Sequence, residues 1–222
     1  AKGGNLNKLG DGTLKLTNTN TYTGTTTVSA GTLLVNGSLG DTALAVSSGA
    51  TLGGTGGTIG TVGLSAASVI IDSGGILAPG NSPGSLTVNG SVSLSSGSTY
   101  AYQFTGGTNG ATQSDLLDVN GLLTIDTGAL LTLENLGTYT ANQKFTLFAY
   151  DSLAEGSHFS GYLDDTAYTI GGESWLINYN DTTAGLNGGT YSKFVTVTAV
   201  PEPSSALLGG LGLLALLRRR RN

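Results

Sequence analysis

The 222-residue sequence contains no cysteine and no methionine, and only 10% of its residues are charged. Without cysteine the chain forms no disulfide and no thiolate metal site, and a cysteine nucleophile is excluded. The N-terminal stretch AKGGNLNKLG has neither an initiating Met nor the basic and apolar segments of a secretory signal. We therefore expect the chain to be a fragment of a longer precursor, or one trimmed at its front end.

Positive charge is also scarce, with 9 Lys and Arg against 14 Asp and Glu. The only arginines form one run at the C-terminus: Arg218, Arg219, Arg220 and Arg221. The body before that run is therefore strongly acidic. A nucleic-acid-binding surface needs clustered Lys and Arg to displace counterions from phosphates, so the composition argues against DNA or RNA as a partner.

Glycine is abundant, with 37 residues, and short apolar segments follow glycines at regular distances. The segments Gly12-Thr13-Leu14, Gly31-Thr32-Leu33 and Gly49-Ala50-Thr51-Leu52 begin at glycines that are 19 and 18 residues apart. Such a period is too short for most helical repeats and is typical of one coil of a β-solenoid. The regular Leu, Val and Ile positions favour ordered β structure over disorder.

Two further patterns indicate strands and corners. Alternation from Asn20 to Val28 predicts one half-buried strand, with Tyr22 and Val28 on the same face. Val-Asn-Gly occurs at 35–37, 88–90 and 119–121, between apolar-alternating segments. We interpret each Asn-Gly as a sharp corner that needs positive φ. Asn-Gly between strands is also typical of hairpins, so an antiparallel sandwich stays open as the alternative.

Aromatic residues become denser after Leu136, and short strands there are separated by Gly, Asp and Asn turns. A solenoid needs a cap because its last coil exposes an unpaired strand edge. We therefore predict that residues 137–199 form a capping subdomain of antiparallel hairpins. The alternative is an aromatic carbohydrate-binding platform made of Trp175, Tyr179 and Tyr191.

No motif predicts a catalytic residue, cofactor site or metal site. His158 is the single histidine and has no second His or Cys with which to bind zinc. Ser82 fits Gly-x-Ser-x-Gly, but Pro83 follows it and has no N–H for an oxyanion hole. The glycine run 53–60 completes no phosphate-binding motif.

Acidic residues leave two alternatives open. Asp164 and Asp165 are the only adjacent pair, and we predict that they lie in a solvated turn. Clustered carboxylates in some β-helix proteins cleave polysaccharide, so a polysaccharide-active enzyme is one alternative. A weak calcium site that uses Asp115, Asp118 or this pair is the other.

The C-terminal segment has three parts: Val-Pro-Glu-Pro, twelve apolar residues at 206–217, and the arginine run. As a helix the apolar part would cover about 18 Å, against a hydrocarbon core of roughly 30 Å, which favours a temporary membrane span. The order of these parts resembles the PEP-CTERM sorting signal. The residues that carry the resemblance are Val200, Pro201, Glu202, Pro203, Arg218, Arg219, Arg220 and Arg221.

Residues 3–40 resemble the autotransporter-associated β-strand repeat. The signature residues are Gly12, Leu14, Asn20, Tyr22, Gly24, Val28, Gly31 and Leu33. This resemblance implies a right-handed parallel β-helix outside the cell. The sorting signal implies export, transient contact with the inner membrane, processing by an exosortase near Pro-Glu-Pro, and release towards the cell surface or an exopolysaccharide matrix.

Together these patterns predict an all-β chain: a parallel β-helix at 1–136, an antiparallel cap at 137–199, and a sorting tail with a short apolar helix at 200–222. We expect an exported, adhesin-like structural protein with no enzymatic activity and no cofactor. Its expected partners are the exosortase and exopolysaccharide or other surface glycans. A polysaccharide-active enzyme and a glycan-binding module are the alternatives.

Overall fold

The computed structural model describes residues 3–64, 66–80, 83–106, 113–189 and 191–201. They form β-strands, turns and loops, with no helix in these ranges.

Three parallel ladders make up the body. Face A contains β1 (Leu6–Lys8), β4 (Thr26–Val28), β7 (Ala43–Val46), β10 (Ala67–Ile71), β13 (Gly90–Leu94) and the second half of β15 (Leu116–Ile125). Face B contains β2 (Thr13–Leu16), β5 (Thr32–Val35), β8 (Thr51–Gly54), β11 (Ile76–Pro79), β14 (Thr99–Phe104) and β16 (Leu130–Asn135). Face C contains β3 (Thr19–Asn20), β6 (Ser38–Leu39), β9 (Gly57–Ile59), β12 (Ser85–Val88), the first half of β15, and β17 (Lys144–Leu153).

The chain visits faces A, B and C in turn, and each such passage is one coil of a parallel β-helix. Successive coils pair through parallel strands, so the predicted parallel β-helix is confirmed and the antiparallel sandwich is wrong. On face B the register aligns Thr13, Thr32 and Thr51. Ala50, not Gly49, therefore takes the place of Gly12 and Gly31 in the third coil.

Side chains that point inward stack into apolar columns along the axis. On face A one column consists of Val28, Val46, Ile71, Leu94 and Ile125, all buried. On face B the column consists of Leu14, Leu33, Leu52, Leu77, Tyr100 and Leu131. Full burial of such a side chain contributes roughly 1.5–3 kcal/mol, so these columns are the main source of stability.

A glycine turn repeats at the corner between faces A and B. The N–H of Gly49 donates to the carbonyl of Gly74 at 2.8 Å, that of Gly74 to Gly97 at 2.9 Å, and that of Gly97 to Gly128 at 2.8 Å. The first three of these glycines have φ between 76° and 80°, a region that L side chains rarely adopt. The corner is therefore a continuous backbone ladder with a nearly constant turn.

The connection between faces B and C, in contrast, changes in length along the axis. It has two residues in each of the first three coils, five between β11 and β12, and eleven between β14 and β15. The fourth and fifth coils owe most of their extra residues to this connection, whereas the third coil owes its extra length mainly to the seven residues between β9 and β10.

The predicted strand from Asn20 to Val28 is wrong, because the chain turns from face C to face A within it. β3 ends at Asn20 and β4 begins at Thr26. Tyr22 lies in the intervening corner, where its hydroxyl is 2.8 Å from the Thr26 hydroxyl. The alternation of the sequence continues across the turn without being one strand.

The Asn-Gly pairs do form corners, but positive φ is not the reason. None of the three pairs has a residue with positive φ. Glycine is required by close backbone approach instead: a Cβ added to Gly90 would overlap the carbonyl oxygen of Ala67 in the preceding coil. The Asn89 amide donates to the carbonyl of Gly60 at 3.0 Å and so ties the corner to that coil.

An antiparallel cap closes the C-terminal end. Its strands are β17, β18 (Thr166–Ile170), β19 (Glu173–Asp181) and β20 (Lys193–Ala199), in the order β17-β20-β19-β18. β17 also pairs in parallel with β15, so it belongs to both the β-helix and the cap. The buried hydroxyls of Tyr100 and Tyr102 donate to the carbonyls of Leu147 and Thr146 at 2.8 and 3.0 Å. These two bonds join the core to the cap.

Replacing Gly90 by Ala tests the close approach at the Asn-Gly corner. The new methyl group has no room, so we expect Gly90→Ala to lower the free energy of unfolding by about 1–3 kcal/mol, as overpacking does. Gly12→Ala is the matched control because a Cβ there meets nothing within 4 Å. Urea unfolding followed by circular dichroism gives both values. Equal stability of the two variants would contradict the steric explanation.

Candidate functional site

A column of hydroxyl side chains runs along the outer side of face C. The register aligns Thr19, Ser38, Thr58, Thr87 and finally Asp118. Equivalent residues of neighbouring coils lie about 4.8 Å apart, so their hydroxyls form a continuous polar strip. Neutral side chains can repeat at this distance, whereas like charges would repel one another.

A groove of about 500 Å³ follows this strip where the first three coils turn from face C towards face A. Its lining consists of Thr19, Asn20, Thr21, Thr23, Ser38, Leu39, Gly40, Asp41, Thr58, Gly60, Thr61 and Val62. We call these residues the C-face groove. Asp41 is the one ionisable residue in this lining, and its carboxylate accepts the N–H of Thr61 at 2.7 Å. Val62 is 79% exposed and provides an apolar rim.

The C-face groove has the groups that recognise a hydroxylated ligand. Threonine and serine hydroxyls both donate and accept hydrogen bonds, as sugar hydroxyls do. An exposed valine offers contact to the C–H face of a sugar ring. The lining contains neither histidine nor cysteine nor a basic residue, and Asp41 is its one charged residue.

The alternative of an aromatic carbohydrate-binding platform is wrong for Trp175 and Tyr179, which are 1% and 2% exposed. Trp175 packs edge-on against Phe104, with ring centroids 5.3 Å apart. The Tyr179 hydroxyl donates to the carbonyl of Tyr162 at 2.9 Å and accepts the N–H of Phe159 at 2.9 Å. Tyr191 packs beside the small cluster of Leu116, Ala149 and Phe194. Trp175 and Tyr179 fill the junction between β-helix and cap, and a sugar cannot stack on them.

Asp164 and Asp165 lie in the turn that precedes β18, as predicted. The Asp164 carboxylate accepts the N–H of Tyr179 at 2.7 Å, and that of Asp165 accepts the Asn178 amide at 2.7 Å. Asp165 has φ 50°, and the left-handed conformation suits a tight turn. Both carboxylates therefore fasten this turn to β19.

Asp115, a candidate calcium ligand in the sequence, is a buried carboxylate. It is 1% exposed, and its two oxygens accept the N–H groups of Gly84 at 3.0 Å and Gln103 at 2.9 Å. Burial raises the pKa of Asp115 to about 7, and the hydrogen bonds from Gln103 and Gly84 oppose that rise only in part. The residue ties the long connection of the fifth coil to the coil below.

The other candidates from the sequence have structural positions or lie outside the described ranges. His158 sits in a loop with Nδ1 3.0 Å from the Phe159 carbonyl oxygen. The glycine run 53–60 lies largely in β8, β9 and the turn between them, and Ser82 is not among the described residues. In the part of the chain that the structure describes, no three His, Cys, Asp or Glu residues are grouped so as to hold a metal ion.

The start of the sorting signal is attached directly to the cap. The N–H of Val200 donates to the carbonyl of Ser174 at 2.9 Å, and Pro201 is the last described residue. The expected apolar helix at 206–217, with Glu202, Pro203 and the four arginines, lies outside the described residues. Within the described residues no helix is long and apolar enough to span a membrane.

Two motifs of known description match this chain. The passenger-associated-transport-repeat matches residues 6–35, which run from the start of β1 to the end of β5. This stretch is the first coil and the first two strands of the second coil. The PEP-CTERM protein-sorting motif matches residues 199–221. The chain therefore carries an autotransporter-associated repeat within a parallel β-helix and a C-terminal sorting motif. Together they indicate an exported surface protein.

A curated relative resembles a longer part of the chain. The adhesin BmaC autotransporter of Brucella suis biovar 1 (strain 1330) is 34% identical over 147 residues, which is 64% of this chain. The chain spans only 4% of the length of that relative. The stretch that resembles this relative is longer than the 6–35 repeat.

The buried carboxylate of Asp115 makes a pH-dependent contribution to stability. Because its pKa is raised in the folded protein, that contribution is fully present below about pH 4 and is lost as pH rises through about 7. We expect the stability difference between wild type and Asp115→Asn to fall over this interval in urea unfolding. Asp11→Asn, at an exposed carboxylate, is the control for charge. A constant difference would contradict the assignment.

Proposed function

We propose that the chain is a non-enzymatic component of a bacterial surface or its surrounding matrix, which displays the hydroxyl-rich side of a rigid β-helix to polysaccharide. The observation that carries the proposal is the C-face groove, which follows a strip of hydroxyl side chains along face C. The sorting motif supports delivery of this surface to the outside of the cell. The name of the adhesin relative is consistent with attachment as the role.

Export in this proposal depends on the C-terminal motif. Transient insertion of the apolar segment retains the chain at the inner membrane, the arginines remain on the cytoplasmic side, and an exosortase processes the signal near Pro-Glu-Pro. The proline residues support this role because proline disfavours the helical conformation in the residue before it, and an extended backbone suits a protease-like cleft.

Replacing the motif in the full chain tests processing. With Pro201, Glu202 and Pro203 all changed to Ala, we expect the unprocessed precursor to accumulate in the membrane fraction of an exosortase-bearing host. Mass spectrometry of the intact protein distinguishes precursor from product. The wild-type chain in the same host without the exosortase is the control. Normal processing of the triple variant would contradict the role of the motif.

Removing hydroxyls from the C-face groove tests polysaccharide binding. Thr19→Val with Thr58→Val keeps the β-branched shape but removes two hydroxyls, and each lost hydrogen bond costs about 1 kcal/mol or roughly fivefold in affinity. Co-sedimentation with exopolysaccharide of the host measures the loss. Thr27→Val, on the outer side of face A, is the matched control. Equal binding by all variants would refute the site, and release of reducing sugar would favour the polysaccharide-active alternative.

A further inference from the structure

The last strand of the fold, β20, is an inner strand of the cap and leads into the sorting motif without a linker. β20 lies between β17 and β19 and pairs antiparallel with both. Ala199, the first residue of the matched sorting motif, lies opposite Trp175 and is 2% exposed. The motif therefore begins inside the folded sheet.

The backbone at this point is fully engaged. The N–H of Ala199 donates to the Gln143 carbonyl at 2.9 Å, and its own carbonyl accepts the N–H of Asn142 at 2.8 Å. The N–H of Val200 donates to Ser174 at 2.9 Å. These groups are not available to another protein unless the end of β20 leaves the sheet.

An enzyme that cleaves a polypeptide binds the chain in extended form, largely through backbone hydrogen bonds, as in strand addition. In the folded cap, the backbone that can be bound in this way starts at Pro201. A cut before Val200 would require part of an inner strand to be pulled out. A cut after Val200 leaves the whole cap intact in the released protein.

The surface around the exit of the chain must then face the processing enzyme. A cavity of about 340 Å³ lies there, and its lining includes Tyr139, Ala141, Glu173, Ser174, Val200 and Pro201. We call the first four of these the exit rim. Glu173 is exposed and is the one charged residue of this lining. Since no spacer separates β20 from Pro-Glu-Pro, an enzyme that holds the chain at Pro201 lies against the exit rim.

We propose that the folded cap is part of the substrate: the exit rim contacts the processing enzyme, and the sheet restricts the cut to the C-terminal side of Val200. This inference rests on the proposed processing by an exosortase and goes further, because it adds a docking surface to the motif and names the last residue that the released protein must retain.

The first test is the C-terminus of the released protein. Mass spectrometry of its C-terminal peptide, from an exosortase-bearing host, should show a chain that ends at Val200 or later. A product that ends before Val200 would overturn the restriction while leaving processing itself established. No product at all would overturn the proposed function, and this inference with it.

The second test separates contact with the exit rim from recognition of the motif. We expect Glu173→Lys to slow processing at least about threefold, as charge changes at interface rims do. A flexible Gly-Ser linker inserted between Val200 and Pro201 moves Pro-Glu-Pro away from the rim, so Glu173→Lys should have no effect in that background. Glu155→Lys, an exposed site outside the rim, is the matched control.

Urea unfolding of each variant shows whether the cap is still folded. Slower processing of Glu173→Lys with normal stability, abolished by the linker, is the expected result. An equal effect with and without the linker would show that the exit rim is not the contact, and so would an absence of effect in the native chain.

Discussion

The backbone hydrogen bonds between successive coils are the interaction on which all other features depend. They fix the register that aligns Thr13 with Thr32 and Thr51, and a slip of one residue would turn the apolar columns outward. The same register repeats every outer side chain about 4.8 Å along the axis, which disfavours charge. Lys8 is a charged residue in an inward column that is otherwise apolar. The residue is buried, and its ammonium group donates to the carbonyls of Gly10 and Ala30 at 2.6 and 2.9 Å.

The sequence revealed the coils wherever their length was constant. Leu14, Leu33 and Leu52 are evenly spaced, and the structure stacks them. The period disappears after Leu52, first because seven residues separate β9 from β10 and then because the connection between faces B and C lengthens. The glycine turn between faces A and B would have identified the later coils despite their different lengths. It recurs in the sequence as SSGA, DSGG, SSGS and DTGA. The prediction of positive φ at Asn-Gly was wrong because its glycine is required by the close approach of the neighbouring coil. The local sequence does not show that contact.

The candidate site was less predictable than the fold because it is formed across coils. Thr19, Ser38 and Thr58 become neighbours only through register, and no local motif distinguishes them from other threonines. The density of aromatics correctly predicted a cap, but not the burial of Trp175 and Tyr179. The wide end of the β-helix is covered by large side chains, so these aromatic rings are buried and are not exposed on the surface. Asp115 likewise owes its environment to coils that are distant in sequence.

The uneven connection between faces B and C gives the rod a preferred edge for variation. The corner between faces A and B is constrained by its stacked backbones and has three or four residues in every coil, so added residues there would break the ladder. The corner between faces C and A varies over a narrower range, up to seven residues. Between faces B and C the chain tolerates two to eleven residues with the flanking strands still in parallel pairing. Lengthening of the connection between β11 and β12 leaves the parallel pairing of face C intact. A lineage could therefore diversify this margin of the molecule, or an engineer could graft peptides onto it, while the scaffold stays the same.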